Sequence, residues 1–87
     1  MNFRTIKEAL SWLFWAKRSE LSNYRVVILD RLSPTGTAEI SANEIESFDA
    51  NYIYLKDGTV IPLHRVVGLK KGDSYVWKRR WKESSPM

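Results

Sequence analysis

The sequence predicts an α+β domain, with one N-terminal helix packed on a curved antiparallel sheet of about five strands. Three observations carry that prediction. Apolar residues recur at helical spacing behind a capping signal in the first 17 residues. A β-branched apolar run follows at residues 24 to 30. Two short strand pairs then flank glycine-containing turns at Asp57-Gly58 and Lys71-Gly72-Asp73.

The helix is expected over residues 5 to 17. Thr5 and Glu8 form a Thr-x-x-Glu capping box, in which each side chain satisfies a free backbone N–H of the first turn. Ile6, Leu10, Leu13 and Phe14 share one face, with Phe3 and Ala9 at its margins. Trp12 falls on the flank and Trp15 nearly opposite, so packing of both tryptophans requires a second covering surface or a loosening of the helix. Lys17-Arg18-Ser19-Glu20 and Ser22-Asn23 are polar and read as a connector.

Residues 24 to 30 are apolar on both faces, with Tyr24, Val26 and Ile28 on one and Val27 and Leu29 on the other. This is the pattern of a central strand covered on both sides. The strand runs into Asp30-Arg31. Ser33-Pro34-Thr35-Gly36 is a turn signal and residues 37 to 40 a short strand. Ser41-Ala42-Asn43-Glu44 reads as a second capping box opening a helical turn through Ile45. Residues 52 to 55 and 60 to 61 form a hairpin about Asp57-Gly58. Pro62 cannot donate to a ladder and marks a strand end or bulge. Residues 66 to 70 and 74 to 79 form the second hairpin, in which Trp77 continues the apolar row of Tyr75 toward the core. Residues 1 to 82 are expected to make one domain and 83 to 87 a disordered tail.

Composition narrows function. There is no cysteine, which excludes disulfides and thiolate-ligated metal and points to an intracellular, cytoplasmic setting. A single histidine excludes a zinc site built from histidines and any phosphodiesterase that needs two. No apolar run approaches the ~20 residues that span a bilayer, and the first residues lack the plan of a signal peptide. Neither a P-loop nor a dinucleotide-binding glycine pattern is present, and no cofactor is expected. The net charge of +4 is unevenly placed. Residues 60 to 87 carry seven basic residues against two acidic, a net of +5, while residues 1 to 59 carry −1. A polyanion is the natural attractor for that C-terminal third.

The chemistry concentrates there. His64 adjoins Arg65, whose planar guanidinium fork matches phosphate oxygens. On a regular strand the two side chains diverge, so shared use requires an irregularity beside Pro62. Asp30 either accepts hydrogen bonds from an arginine or from backbone N–H groups, or orients Arg31 or Arg65 toward a phosphate, or takes a ribose hydroxyl. Trp77-Lys78-Arg79-Arg80-Trp81-Lys82 interleaves rings and cations, with Lys78 and Arg79 as charge donors and Trp81 as the candidate stacking ring.

Three segments together resemble one family. They are Ala9-Leu10-Ser11-Trp12-Leu13-Phe14-Trp15, the strand from Tyr24 into Asp30-Arg31, and Ile61-Pro62-Leu63-His64-Arg65-Val66 with its trailing Gly72 and Val76-Trp77-Lys78-Arg79. They look like the RNA cyclic-group end recognition domain, a small domain common in archaea. The resemblance spans residues 5 to 79. It implies binding of RNA termini that carry a 2′,3′-cyclic phosphate or a related processed end, through positions matching Asp30, Arg31, His64, Arg65 and Arg79. Two positions depart from that pattern. Leu32 stands where the family usually has glycine after Asp-Arg, and Trp12 where a polar helix residue is more usual. The expectation is a non-catalytic RNA-binding module whose partner is an RNA terminal phosphate, with a homodimer or a larger RNA-processing complex left open. The rival readings are an RNA-end-processing phosphoesterase using His64 and a protein-interaction module anchored by Trp15 or Trp81.

Overall fold

The computed structural model describes residues 5–79 of the 87-residue chain. The chain opens with α1 (Ile6–Ala16), capped as expected by the Thr5 hydroxyl, which accepts from the Glu8 N–H at 3.2 Å. A 3-10 segment (Arg18–Asn23), kinked at Glu20, leads into the strands. These are β1 (Tyr24–Leu29), β2 (Thr37–Ser41), β3 (Ile45–Phe48), β4 (Tyr52–Leu55), β5 (Val60–Pro62), β6 (Val66–Lys71) and β7 (Ser74–Lys78).

The strands form two antiparallel sheets rather than one. The larger has the order β2-β1-β6-β7 and the smaller the order β3-β4-β5. The expected single sheet of about five strands is therefore corrected, while the α+β class stands. The chain changes sheet at two 3-10 turns, Ala42–Glu44 between β2 and β3 and Leu63–Arg65 between β5 and β6. The helical turn expected to open at Ser41 and run through Ile45 is the first of these, Ala42–Glu44. The Ser41 hydroxyl accepts from the Asn43 N–H at 3.2 Å, and the chain then extends into β3. Both anticipated hairpins form, with Gly58 (φ 95°) and Gly72 (φ 61°) taking the positive φ that their turns require.

One core lies between the helix and both sheets. Ile6, Ala9, Leu10 and Leu13 of α1 meet Tyr24, Val26, Val66, Leu69 and Trp77 from the larger sheet and Ile45, Ile53 and Ile61 from the smaller. Trp12 packs edge-on against Tyr24 at 5.9 Å between ring centroids, and Phe14 packs edge-on against Phe48 at 5.4 Å. Trp15 does not join them. The helix stays regular to Ala16 and leaves the Trp15 ring 88% exposed, so no described surface covers it.

Two irregularities aim the side chains of the larger sheet. The β1–β6 register shifts between Val27 and Ile28, where Val67 is the extra residue. The β6–β7 register pairs Leu69 with Trp77 but Lys70 with Tyr75, so Val76 is extra. Trp77 therefore faces the core, as expected, but Tyr75 does not share its row. The bulge sends Tyr75 to the opposite face, where it is 46% exposed. Coverage of β1 on both sides also holds only in part. Val27 is buried on the face away from the helix, whereas Leu29 and Arg25 are exposed.

Candidate RNA-end site

The site is built where the chain passes from the smaller sheet to the larger. β4–β5 pairing ends at Pro62, which has no N–H for a further bond. Leu63–Arg65 then makes one 3-10 turn before β6 begins. This turn replaces the regular strand on which His64 and Arg65 would diverge. Three residues per turn place the two side chains on one tight bend instead of on opposite strand faces. Leu63 points inward and is buried, while His64 and Arg65 are both exposed.

The turn is fastened from three sides. The Leu63 N–H donates to the Asn51 carbonyl at 2.9 Å, tying it to the start of β4. Arg79 holds it from β7. Its Nε donates to the Val66 carbonyl at 2.9 Å and its Nη2 to the Leu63 carbonyl at 3.3 Å, one bond at each end of the turn. The Arg79 N–H also continues the β6–β7 ladder to the Val67 carbonyl at 2.8 Å, and its guanidinium lies 5.7 Å from the Trp77 ring centre. Arg79 is thus half-buried and engaged along its length. Its contacts suit a clasp for the His64-Arg65 turn.

Arg65 closes the third side. The last β1–β6 pair is Ile28 with Val66, so the Leu29 carbonyl lies just beyond the point where β6 turns away. Arg65 Nη2 donates to that carbonyl at 3.0 Å. A guanidinium has five N–H donors, and this bond uses one while the exposed group keeps the others toward solvent. The contact brings Arg65 to the peptide immediately before Asp30. Among the described residues, the His64 imidazole has no hydrogen-bond partner of the kind that would fix its tautomer.

The loop after β1 is self-supporting. Asp30 Oδ1 accepts from the Leu32 N–H at 3.0 Å, an Asx turn, so of the readings for Asp30 the backbone partner is the one found. Its N–H donates to the Gly36 carbonyl at 2.9 Å, and its carbonyl accepts from Ser33 N–H at 3.1 Å. Gly36, at φ 82°, supplies the positive φ in this loop. Leu32, in the place of the expected glycine, projects into solvent at 95% exposure. Arg31 is exposed beside it.

Asp30, Arg31, His64 and Arg65 thus border one end of the larger sheet, with Arg79 beneath the turn. Lys78 lies apart, opposite Gly68 on the outward face, with Nζ 5.2 Å from the Tyr75 ring centre. Trp81 and the tail at 83 to 87 lie outside the described residues. Sequence reasoning missed three further residues on that outward face, Arg25, Lys70 and Tyr75. The signal that could have found them is the spare residue in the Val76-Trp77 stretch, which sets Tyr75 and Lys78 on the same side. No group of three or more metal-ligating side chains occurs among the described residues, and no described helix is long and apolar enough to cross a membrane.

Comparison with known proteins bears on this geometry. The pattern of the MJ1316 RNA cyclic group end recognition domain matches residues 3–79. A UPF0248 protein of Saccharolobus islandicus is 45% identical over 78 residues, covering 85% of this chain and 98% of its own. UPF0248 proteins of Saccharolobus solfataricus (42% over 77 residues, 85% and 95% covered) and Metallosphaera sedula (44% over 75 residues, 86% and 92% covered) are similar at the same scale. No solved structure matches. With the whole described fold inside the matched span, the chain belongs to the MJ1316 RNA cyclic group end recognition domain family.

Proposed function

We propose that this protein is a non-catalytic module that binds RNA ends carrying a 2′,3′-cyclic phosphate or a related terminal phosphate. The observation that carries the reading is the Arg65 guanidinium at the end of β1, anchored by one bond to the Leu29 carbonyl and adjacent to Asp30-Arg31. A fork held by one N–H with the others facing solvent is pre-oriented for a planar set of phosphate oxygens. His64, on the same turn, adds a ring N–H to a terminal oxygen, and Arg31 adds charge from across the gap. Asp30 spends one oxygen on Leu32 N–H and keeps the other for a ribose hydroxyl. RNA ends suit such a site because their bases and 2′-oxygens are not tied up in pairing.

Turnover is the rival reading, and it would use His64 as the acid or base. An acid or base that works on a cyclic phosphate needs an orienting partner and a second proton-transfer group within about 3 Å of the reacting atoms. No described carboxylate contacts His64.

The test compares oligonucleotides identical except for a terminal cyclic phosphate, 3′-phosphate or hydroxyl. The reading predicts tighter binding of the phosphate-bearing ends and recovery of the cyclic terminus intact. Equal affinity for all three ends contradicts end recognition, and conversion of the cyclic end, lost in His64→Ala, contradicts the non-catalytic part. Affinity should also fall with salt on a log–log plot with a slope of about −0.7 per phosphate contacted.

A further inference from the structure

The face of the larger sheet that points away from the helix is covered by no described element, yet it is not a plain polar surface. Across it run Glu39 of β2, Arg25 and Val27 of β1, Gly68 and Lys70 of β6, and Tyr75 and Lys78 of β7, brought into register by the two bulges. Tyr75 lies flat on this face because position 68 is glycine. A Cβ added there would collide with Tyr75 Cε1 and sit 3.0 Å from its Cδ1. The ring thus lies against Gly68 and is 46% exposed. Lys70 Nζ lies 5.5 Å and Lys78 Nζ 5.2 Å from the ring centre. Glu39 holds the row in place, accepting from Lys70 at 3.0 Å and from Arg25 at 3.3 Å.

A half-exposed ring seated on the sheet, with two ammonium groups lying over it, becomes a platform for a nucleobase when those groups turn to the phosphates on either side. Charge agrees, since Arg25, Lys70 and Lys78 stand against Glu39, with Asp73 acting on Lys70 from the β6–β7 turn. Position agrees as well. Arg65 meets β1 at Leu29, and Tyr75 pairs with Lys70, which pairs with Arg25. The ring itself lies over Gly68, which pairs with Val27, so the two steps from Leu29 to Val27 at about 3.3 Å per residue set it roughly 7 Å along the strand direction from Leu29.

We infer that single-stranded RNA leading to the bound terminus crosses this outward face, with one base stacked on Tyr75 and its neighbouring phosphates on Lys70 and Lys78. This rests on the end-binding reading and names the path by which the rest of the strand is held.

The test uses a single-stranded octanucleotide and a dinucleotide, both ending in 2′,3′-cyclic phosphate, with wild type, Tyr75→Ala, Tyr75→Phe and Arg65→Ala proteins. Loss of a stacked base is expected to weaken octanucleotide binding by Tyr75→Ala about 5- to 150-fold, from the ~1–3 kcal/mol that stacking contributes. Dinucleotide binding should be unchanged, and Tyr75→Phe should behave as wild type. Arg65→Ala should weaken both ligands. A folded Tyr75→Ala protein that binds the octanucleotide as wild type does, or that weakens both ligands equally, overturns the inference. Should Tyr75→Ala fail to fold, ultraviolet crosslinking of the octanucleotide to wild type decides the matter. An adduct on Tyr75 supports the path, and adducts confined to the smaller sheet overturn it. If octanucleotides ending in cyclic phosphate and in hydroxyl bind alike while Tyr75→Ala still weakens both, terminal recognition fails and the stacking face is supported alone.

Discussion

The two sheets share one core but divide the charge of the molecule between them. Residues 42 to 62, which make the smaller sheet and its turns, hold Glu44, Glu46, Asp49 and Asp57 against Lys56 alone. Residues 63 to 79 hold Arg65, Lys70, Lys71, Lys78, Arg79 and His64 against Asp73 alone. The two sets of charges are also used differently. Asp49 accepts from the Asn51 and Tyr52 N–H groups, each at 2.8 Å, and from the Tyr54 hydroxyl at 2.6 Å. The Tyr54 bond first, then the backbone bonds, hold the Asp49 carboxyl below its ordinary range. Asp57 is lowered likewise by Thr59. These carboxylates build turns. On the larger sheet, Arg65 and Lys78 are exposed and only partly engaged, and they face the same solvent that a polyanion would enter. In this domain Asp49 and Asp57 of the smaller sheet close turns, while Arg65 and Lys78 beside the larger one stay open to solvent.

The largest effect should come from what the two sheets share. Leu13 is fully buried between them, and Leu13→Ala is expected to cost about 2–5 kcal/mol. Chemical denaturation should show both sheets lost in a single transition, and separate transitions would show that the core is not common to them.

Next comes the clasp. Arg79→Met removes both side-chain bonds to the turn and leaves the Leu63 and Val66 carbonyls without them. The expected loss is about 2 kcal/mol of stability, together with weaker binding of phosphate ends. Arg79→Lys should recover little, because a single ammonium does not reproduce a fork with two fixed donors. Arg65→Ala makes the complementary case. Its one bond is at the surface, so stability should change by less than about 1 kcal/mol, while affinity for a phosphate end should fall about tenfold or more. Equal damage to fold and binding in both variants would erase the distinction between clasp and ligand group.

The smallest effect tests the acidic sheet. Because the folded-state pKa of Asp49 lies below its unfolded value of about 3.9, its contribution is fully present above that pH and is lost as pH falls through the folded value. Asp49→Asn should therefore flatten the acid limb of a stability-against-pH curve and leave RNA affinity at neutral pH unchanged. An affinity change would place the smaller sheet in the binding surface.

Local chemistry explains which of these features were legible in the residues. Thr5 with Glu8, Asp57-Gly58 and the Gly72 turn announce themselves because their bonds close within a few positions. Asp30-Arg31 and His64-Arg65 could be singled out by type, and their approach follows from Arg65 reaching Leu29. Other features depend on partners distant in the chain. Ser41 through Glu44 announces its single helical turn, but not that the chain then enters a strand paired with β4 in a second sheet. Pro62 marks a strand end without saying that the next strand belongs to another sheet. The role of Arg79 is invisible because its acceptors are main-chain carbonyls 13 and 16 residues away. Tyr75 was assigned to the core by strict alternation, which one extra residue at Val76 reverses.

The proposed receptor for a terminal phosphate of RNA is the Leu63–Arg65 turn together with the end of β1. Amide chemical-shift mapping with a dinucleotide ending in 2′,3′-cyclic phosphate tests that placement. The largest shifts are expected at His64, Arg65 and Val66 and across Leu29, Asp30 and Arg31, with little change at the same concentration of the hydroxyl-ended dinucleotide. Shifts centred on β3, β4 and β5, or identical shifts from both dinucleotides, would contradict it.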